Sequence, residues 1–183
     1  MTTIPVTAPV WLGVAVGYEG QREIKGPKTA TFISTFLQRL KSTWKDDETA
    51  WCGTFIAGVL DETNTRFKRT GTMLLRWPAA WYRALAYADP MYGTHLKPEQ
   101  YRPGAICAKT RKGGGHVFFY LGESATHIYG IGGNTSDCVK CAWYPKSEIS
   151  AVVWPQGSVM SNADKDMRVF MNVNGKPIAE RED

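Results

Sequence analysis

The sequence predicts an α+β domain with helices in its first half and a small antiparallel sheet in its second. Two observations predict it. Between residues 30 and 88 apolar side chains recur at helical spacing, and between 104 and 154 short runs rich in Val, Ile, Phe and Tyr are separated by glycine-containing turns. Helices followed by strands, without regular alternation, place the helices on one side of the sheet.

The first helix is expected over residues 30–40, where Phe32, Ile33, Phe36, Leu37 and Leu40 form one apolar face after the break at Gly26-Pro27. A second follows Asp46-Asp47-Glu48-Thr49, with Thr49 as its capping residue and Phe55, Ile56, Val59 and Leu60 on its apolar side. That start puts Cys52 in the first turn. A third helical stretch is expected over residues 79–88 after Pro78, and 89–103 reads as turns. Strands are expected at 104–110, 116–121, 127–131 and 151–154. Past Pro155 the chain becomes polar and then offers a hairpin arm, 168–173 and 176–179 about Asn174-Gly175, with Pro177 keeping its second strand at an edge. The expected organisation is one domain over 1–155 and an extension over 156–183.

With 183 residues, 43% of them hydrophobic and 21% charged, the chain can bury a real core and is neither disordered nor fibrous. Residues 1–9 lack the basic and apolar pattern of a signal peptide, and no run approaches the length of a membrane span, so synthesis in the cytoplasm is expected. The net charge of +5 suits an anionic surface, but Lys and Arg are scattered and no recognition helix or basic-aromatic stretch points to nucleic acid. Four cysteines are too few for a disulfide scaffold, which leaves at least one thiol for chemistry.

Cys52 is the candidate nucleophile. The unpaired N–H groups and macrodipole of a helix start stabilise a thiolate, although a small buried hydrophobe is the commoner fate of a free cysteine. Gly113-Gly114-Gly115 then opens space around His116 at the head of a strand whose Val117, Phe119 and Leu121 face the core while His116, Phe118 and Tyr120 point the other way. If the following turn centres on Ala125, paired residue numbers sum to 250, so Tyr120 faces Gly130 and His116 faces Asn134; a half-residue shift substitutes Gly133 or Thr135. Asn134 can orient one ring nitrogen and leave the other for the thiol, completing a Cys-His-Asn hydrolase triad. Asp137 is the alternative third member. The pair Cys138 and Cys141, with His127 or Cys107, offers zinc only half of the usual ligand set, so no metal or other cofactor is expected.

The strings EIKGPK (23–28), DDETAWCGTF (46–55), AWYRAL (80–85), Pro103-Gly104, GGGHV (113–117) and GGNTSD (132–137), in this order, resemble small phage and bacterial cysteine amidohydrolases and peptidases of the CHAP and NlpC-type superfamily. The resemblance spans about residues 11–155. It implies a papain-like α+β fold and cleavage of amide bonds in peptidoglycan, as in a phage endolysin, through a thioester intermediate. It carries Cys52 across as nucleophile, His116 as base and Asn134 as the orienting residue. Apart from the resemblance, Trp51, Trp81 and Tyr82 are candidate groove walls, although aromatics at helical spacing are more often core residues. Phe118 stands where relatives have a small residue, and Thr29-Ala30 where they have an asparagine. An endolysin made without a signal peptide needs a holin-type membrane protein to reach the wall, and it is expected to act as a monomer. The same chemistry would serve an interbacterial amidase toxin, and a wall-binding module without catalysis is the remaining alternative.

Overall fold

The computed structural model describes residues 8–26, 28–111, 113–160, 167–172 and 174–176. Among the described residues three α-helices and a six-stranded sheet, every neighbouring pair of strands antiparallel, make the α+β architecture. Helix α1 (Val10–Val16) follows Pro9 and ends at Gly17, and buries Trp11, Leu12, Val14 and Ala15. It was not expected from the sequence. Its seven residues are too short for apolar periodicity to stand out. Helix α2 (Thr31–Arg39) buries Ile33, Phe36 and Leu37, the i, i+3, i+4 face already read from the sequence. Helix α3 (Cys52–Arg66) is buried on all sides from Cys52 to Leu60, as befits a central helix between other layers.

The stretch 79–88 is a correction. It folds as turns and a 3-10 helix (Ala84–Ala88), with Arg83 N bonding Ala80 O at 2.7 Å and Ala86 N bonding Arg83 O at 2.9 Å. Such i→i+3 bonding is tighter than an α-helix, and it lets the backbone at Trp81 press against α3.

The strands are β1 (Gly93–His95), β2 (Ile106–Arg111), β3 (Gly114–Glu123), β4 (His127–Gly132), β5 (Lys140–Pro145) and β6 (Ile149–Pro155), in the spatial order β1-β6-β2-β3-β4-β5. Tyr120 pairs with Gly130 and Phe119 with Ile131, the register of sum 250; a bulge then sets Gly122 opposite Tyr129. Strand β3 is not one-sided as expected. Every residue from Val117 to Leu121 is buried, Phe118 beneath the Tyr144 ring at 3.9 Å and Tyr120 edge-on to Tyr101 at 6.0 Å.

Residues 167–172 lie along the end of β3: Glu123 N bonds Val169 O at 2.7 Å and Met171 N bonds Glu123 O at 2.8 Å. The expected turn at Asn174-Gly175 is present, with Asn172 Oδ1 accepting from Asn174 N and Lys176 N at 2.9 and 3.1 Å. Val173 and 177–179 of the expected hairpin lie outside the described residues. Among the described residues no helix is long and apolar enough to cross a membrane.

Candidate functional site

Three of the sequence strings meet in one knot. Residues 20–23 run beside 137–139, with Gly20 N to Val139 O and Val139 N to Gln21 O both at 2.8 Å and Glu23 N to Asp137 O at 3.1 Å. On the other side Asp47, only 3% exposed, accepts Ile24 N at 3.2 Å and Ala30 N at 3.0 Å on one carboxylate oxygen, and Glu48 accepts Gly26 N at 3.3 Å. A buried carboxylate holding main-chain donors is a strong, charge-assisted tie. Glu23 closes the knot by accepting the Trp51 indole N–H at 2.9 Å. EIKGPK, DDETAWC and GGNTSD therefore co-operate structurally: together they fix the backbone that precedes Cys52.

Cys52 is the first residue of α3, as expected. The helix cap differs. Trp51 occupies the N-cap position and no side-chain cap bond closes this end, so Thr49 does not cap it. Starting the helix, Cys52 lies at the positive end of its dipole. Close approach dictates Gly53, because a Cβ there would stand 1.7 Å from the Trp81 carbonyl oxygen. The buried Tyr87 hydroxyl donates to Gly53 O at 3.3 Å. Burial pushes the Tyr87 phenol well above its ordinary pKa, and negative charge on Cys52 raises it further.

His116 sits near the start of β3, opposite Lys109 and 5% exposed. Its Nε2 is 3.1 Å from the Tyr144 hydroxyl and 3.5 Å from Thr135 Oγ1, and these two oxygens are 3.3 Å apart. The imidazole stacks on Phe118 at 5.9 Å. Two consecutive glycines connect it to the helix: a Cβ on Gly132 would stand 3.3 Å from His116 Nε2, and one on Gly133 would stand 2.6 Å from the Trp51 ring and 2.5 Å from Phe55 Cβ. The Tyr144 phenol is pushed up to about 12, chiefly by burial, against a lowering from its Thr135 bond; charge on Cys141, Cys52 and Cys107 adds to the rise. Tyr144 thus feels Cys52 while touching His116.

No protein-family model matches the chain, and no curated protein matches it. The reading of the site rests on its geometry and on the motifs.

The other expected residues fall as follows. Asn134, half-buried, adopts a left-handed φ of 54° in the loop after β4, beside Thr135. Asp137 enters the knot through its carbonyl and is also left-handed, at φ 59°. Of the expected groove walls, Trp51 is 1% and Trp81 5% exposed, so they support the helix start from inside, and only Tyr82, at 37%, presents a surface. Tyr82 packs edge-on to Trp44 at 4.6 Å, with the Arg83 guanidinium 5.6 Å over its ring. Next to Trp44 opens a hollow of about 470 Å³ lined in part by Lys41, Lys45 and Gln38. Cys138 donates to its neighbour's carbonyl at 3.4 Å and Cys141 to Glu19 at 3.6 Å. Among the described residues no three His, Cys, Asp or Glu side chains gather as a metal site.

Tyr144 and Trp44 were missed in the sequence. Tyr144 lies 28 residues past His116, on a strand that the sequence reading left unassigned. Its signal was the short run Cys141-Ala142-Trp143-Tyr144 ahead of Pro145, apolar and aromatic enough for a strand.

Proposed function

We propose that this chain is a papain-like cysteine amidohydrolase that cuts amide bonds in bacterial peptidoglycan. The observation that carries the reading is the joint placement of Cys52 and His116: the thiol stands at the start of a helix, and Gly132-Gly133 and Tyr144 link that turn to the imidazole. In this reading His116 takes the Cys52 proton. The thiolate attacks the amide carbon, forming the C–S bond and a tetrahedral oxyanion. The oxyanion sits at the helix start, with the Cys52 N–H as one donor. His116 returns its proton to the leaving amine as the C–N bond breaks, and water then hydrolyses the thioester. Asn134, the residue the motifs assign to orient the imidazole, neighbours Thr135, whose hydroxyl is 3.5 Å from Nε2.

Peptidoglycan as substrate rests on the ordered motifs, and two surface features agree with it. A net charge of +5 favours an anionic polymer, and exposed Tyr82 beside Trp44 offers a flat apolar surface for a sugar or peptide. Because Cys52 is only 2% exposed, substrate must press between the side chains over it. In the endolysin reading the protein acts on the wall after a holin-type partner opens the inner membrane.

The test is digestion of purified peptidoglycan under reducing conditions by wild type and Cys52→Ala, with products read by mass spectrometry. New amine or carboxyl termini from wild type alone support the reading and identify the bond. No release by wild type across a range of pH, or equal release by Cys52→Ala, overturns it.

A further inference from the structure

Around His116 the hydroxyl groups form a chain with a direction. Tyr144 Oη is 3.1 Å from His116 Nε2 and 3.3 Å from Thr135 Oγ1, and Thr135 Oγ1 is 3.4 Å from the Gly132 carbonyl. A carbonyl only accepts, and each hydroxyl has one hydrogen to give. One arrangement serves every group: Thr135 donates to Gly132 O, Tyr144 donates to Thr135, and Nε2–H donates to Tyr144. The imidazole is then left with Nδ1 as its unprotonated, basic nitrogen.

Tyr144 is built to stay in this position. Its ring stacks on Phe118 at 3.9 Å and 20°, the same Phe118 that stacks beneath His116, and the Lys109 ammonium lies 5.3 Å from its centroid. Only 7% of the residue is exposed. A hydroxyl whose ring is stacked on Phe118 and which faces the imidazole of the proposed base exceeds what packing alone requires.

We propose that Tyr144, steadied by Thr135, is the positioning residue of His116, fixing the Nε2–H tautomer and the ring plane in the role expected of Asn134. The inference rests on the cysteine hydrolase reading for its catalytic meaning, but the tautomer it assigns is independent of any substrate. Tyr144 does not touch the reacting atoms. A neutral phenol also stabilises the imidazolium less than a carboxylate would, so the device sets geometry more than charge.

The test has two arms. In the first, ¹⁵N NMR of the His116 ring in the Cys52→Ala protein, where the ring has no Cys52 thiol to exchange a proton with, is compared with the same protein carrying Tyr144→Phe. Phe keeps the stack on Phe118 and removes only the hydroxyl. A predominantly Nε2–H ring that becomes a tautomer mixture with Tyr144→Phe supports the assignment; an Nδ1–H ring at the outset, or an unchanged ring, overturns it. In the second arm, turnover of Tyr144→Phe is expected to fall roughly 10- to 100-fold in kcat with KM little changed, as for loss of one bond to a group that charges. Thr135→Val should fall less, and Thr135→Ser should restore it. Full turnover by Tyr144→Phe, or a tautomer lost with Asn134→Ala and kept with Tyr144→Phe, overturns the role. If Cys52→Ala retains wild-type turnover the hydrolase reading fails, while the NMR arm still decides the tautomer.

Discussion

The Glu23 carboxylate accepts the indole N–H of Trp51 at 2.9 Å, joining two residues 28 positions apart. Trp51 is 1% exposed and directly precedes Cys52, so this bond orients the start of α3 from within the core. Glu23→Leu leaves the indole donor unpaired and is expected to cost about 1 to 3 kcal/mol. Glu23→Gln still offers a carbonyl oxygen and should lose much less. Urea unfolding checks the first expectation. Alkylation of Cys52 in the folded protein checks the second consequence, a rate that rises in the Leu variant and not in the Gln variant.

Asp47→Ala strips Ile24 N and Ala30 N of their acceptor. The expected destabilisation is about 2 to 4 kcal/mol, and it should be local. Hydrogen exchange ought to accelerate over 24–30 and at the helix start, while the amides of the β2–β3 ladder keep their protection. Uniform acceleration would mean that the knot is part of the global core and not a separate clasp.

Gly53→Ala places a methyl group 1.7 Å from the Trp81 carbonyl oxygen and 2.8 Å from its carbon, which are backbone atoms and cannot swing aside. Overpacking of this kind costs about 1 to 3 kcal/mol, and here it also pushes the first turn of α3 away from Trp81. Both Tm and turnover should drop. A variant with wild-type values in both would show that this contact is not tight in solution.

Tyr144 gives a pH dependence whose sign follows from its raised phenol. Folded, it ionises near 12 in place of the ordinary 10 because it is buried. The neutral phenol is favoured in the native state, so its contribution is fully present below pH 10 and is lost as pH rises toward 12. Two pH units correspond to roughly 2 to 3 kcal/mol. Tyr144→Phe should flatten the decline of folding stability between pH 10 and 12, measured by denaturant titration at several pH values; an unchanged slope would remove this tyrosine as its source.

Lys146 Nζ lies 3.1 Å from Glu123 Oε1, and the Glu123 side chain is only 2% exposed. Removing the ammonium leaves a carboxylate enclosed without this counter-charge, an expected loss of about 2 to 4 kcal/mol given that Lys146 itself is partly solvated. Glu123 also holds residues 167–172 through its backbone. Limited proteolysis of Lys146→Ala should therefore cut in that segment earlier than in wild type, before the sheet is attacked.

Much of this was legible in the sequence because short-range pattern fixes it. Phe36 and Leu37 marked α2, the acidic run before Trp51 placed the start of α3, and the 250 sum put Tyr120 opposite Gly130. The sum could not be carried on to His116 and Asn134. Strand β4 ends at Gly132, and the chain turns left-handed at Asn134, Ser136 and Asp137, so the ladder stops at Phe119 and Ile131 and the Thr135 hydroxyl comes to the imidazole. Residues 79–88 have helical composition, but tertiary contact with Gly53 selects a tighter backbone. Tyr144 was hidden for a different reason. Its partnership with His116 is set by the pairing of β5 on β4, which no local pattern around either residue reveals.

The position of β6 between β1 and β2 has a consequence for how the molecule is made. Both neighbours leave the ribosome before it: β1 pairs with β6 through Gly93–His95, and β2 joins the same strand through Ile106 and Cys107. A nascent chain that has reached Glu148 therefore already contains Cys52, His116 and Tyr144, yet β1 has no partner strand and β2 is an open edge. Native assembly waits for the last strand, since such non-local pairings close late. On the hydrolase reading, a chain stopped before Ile149 should be released without a working site.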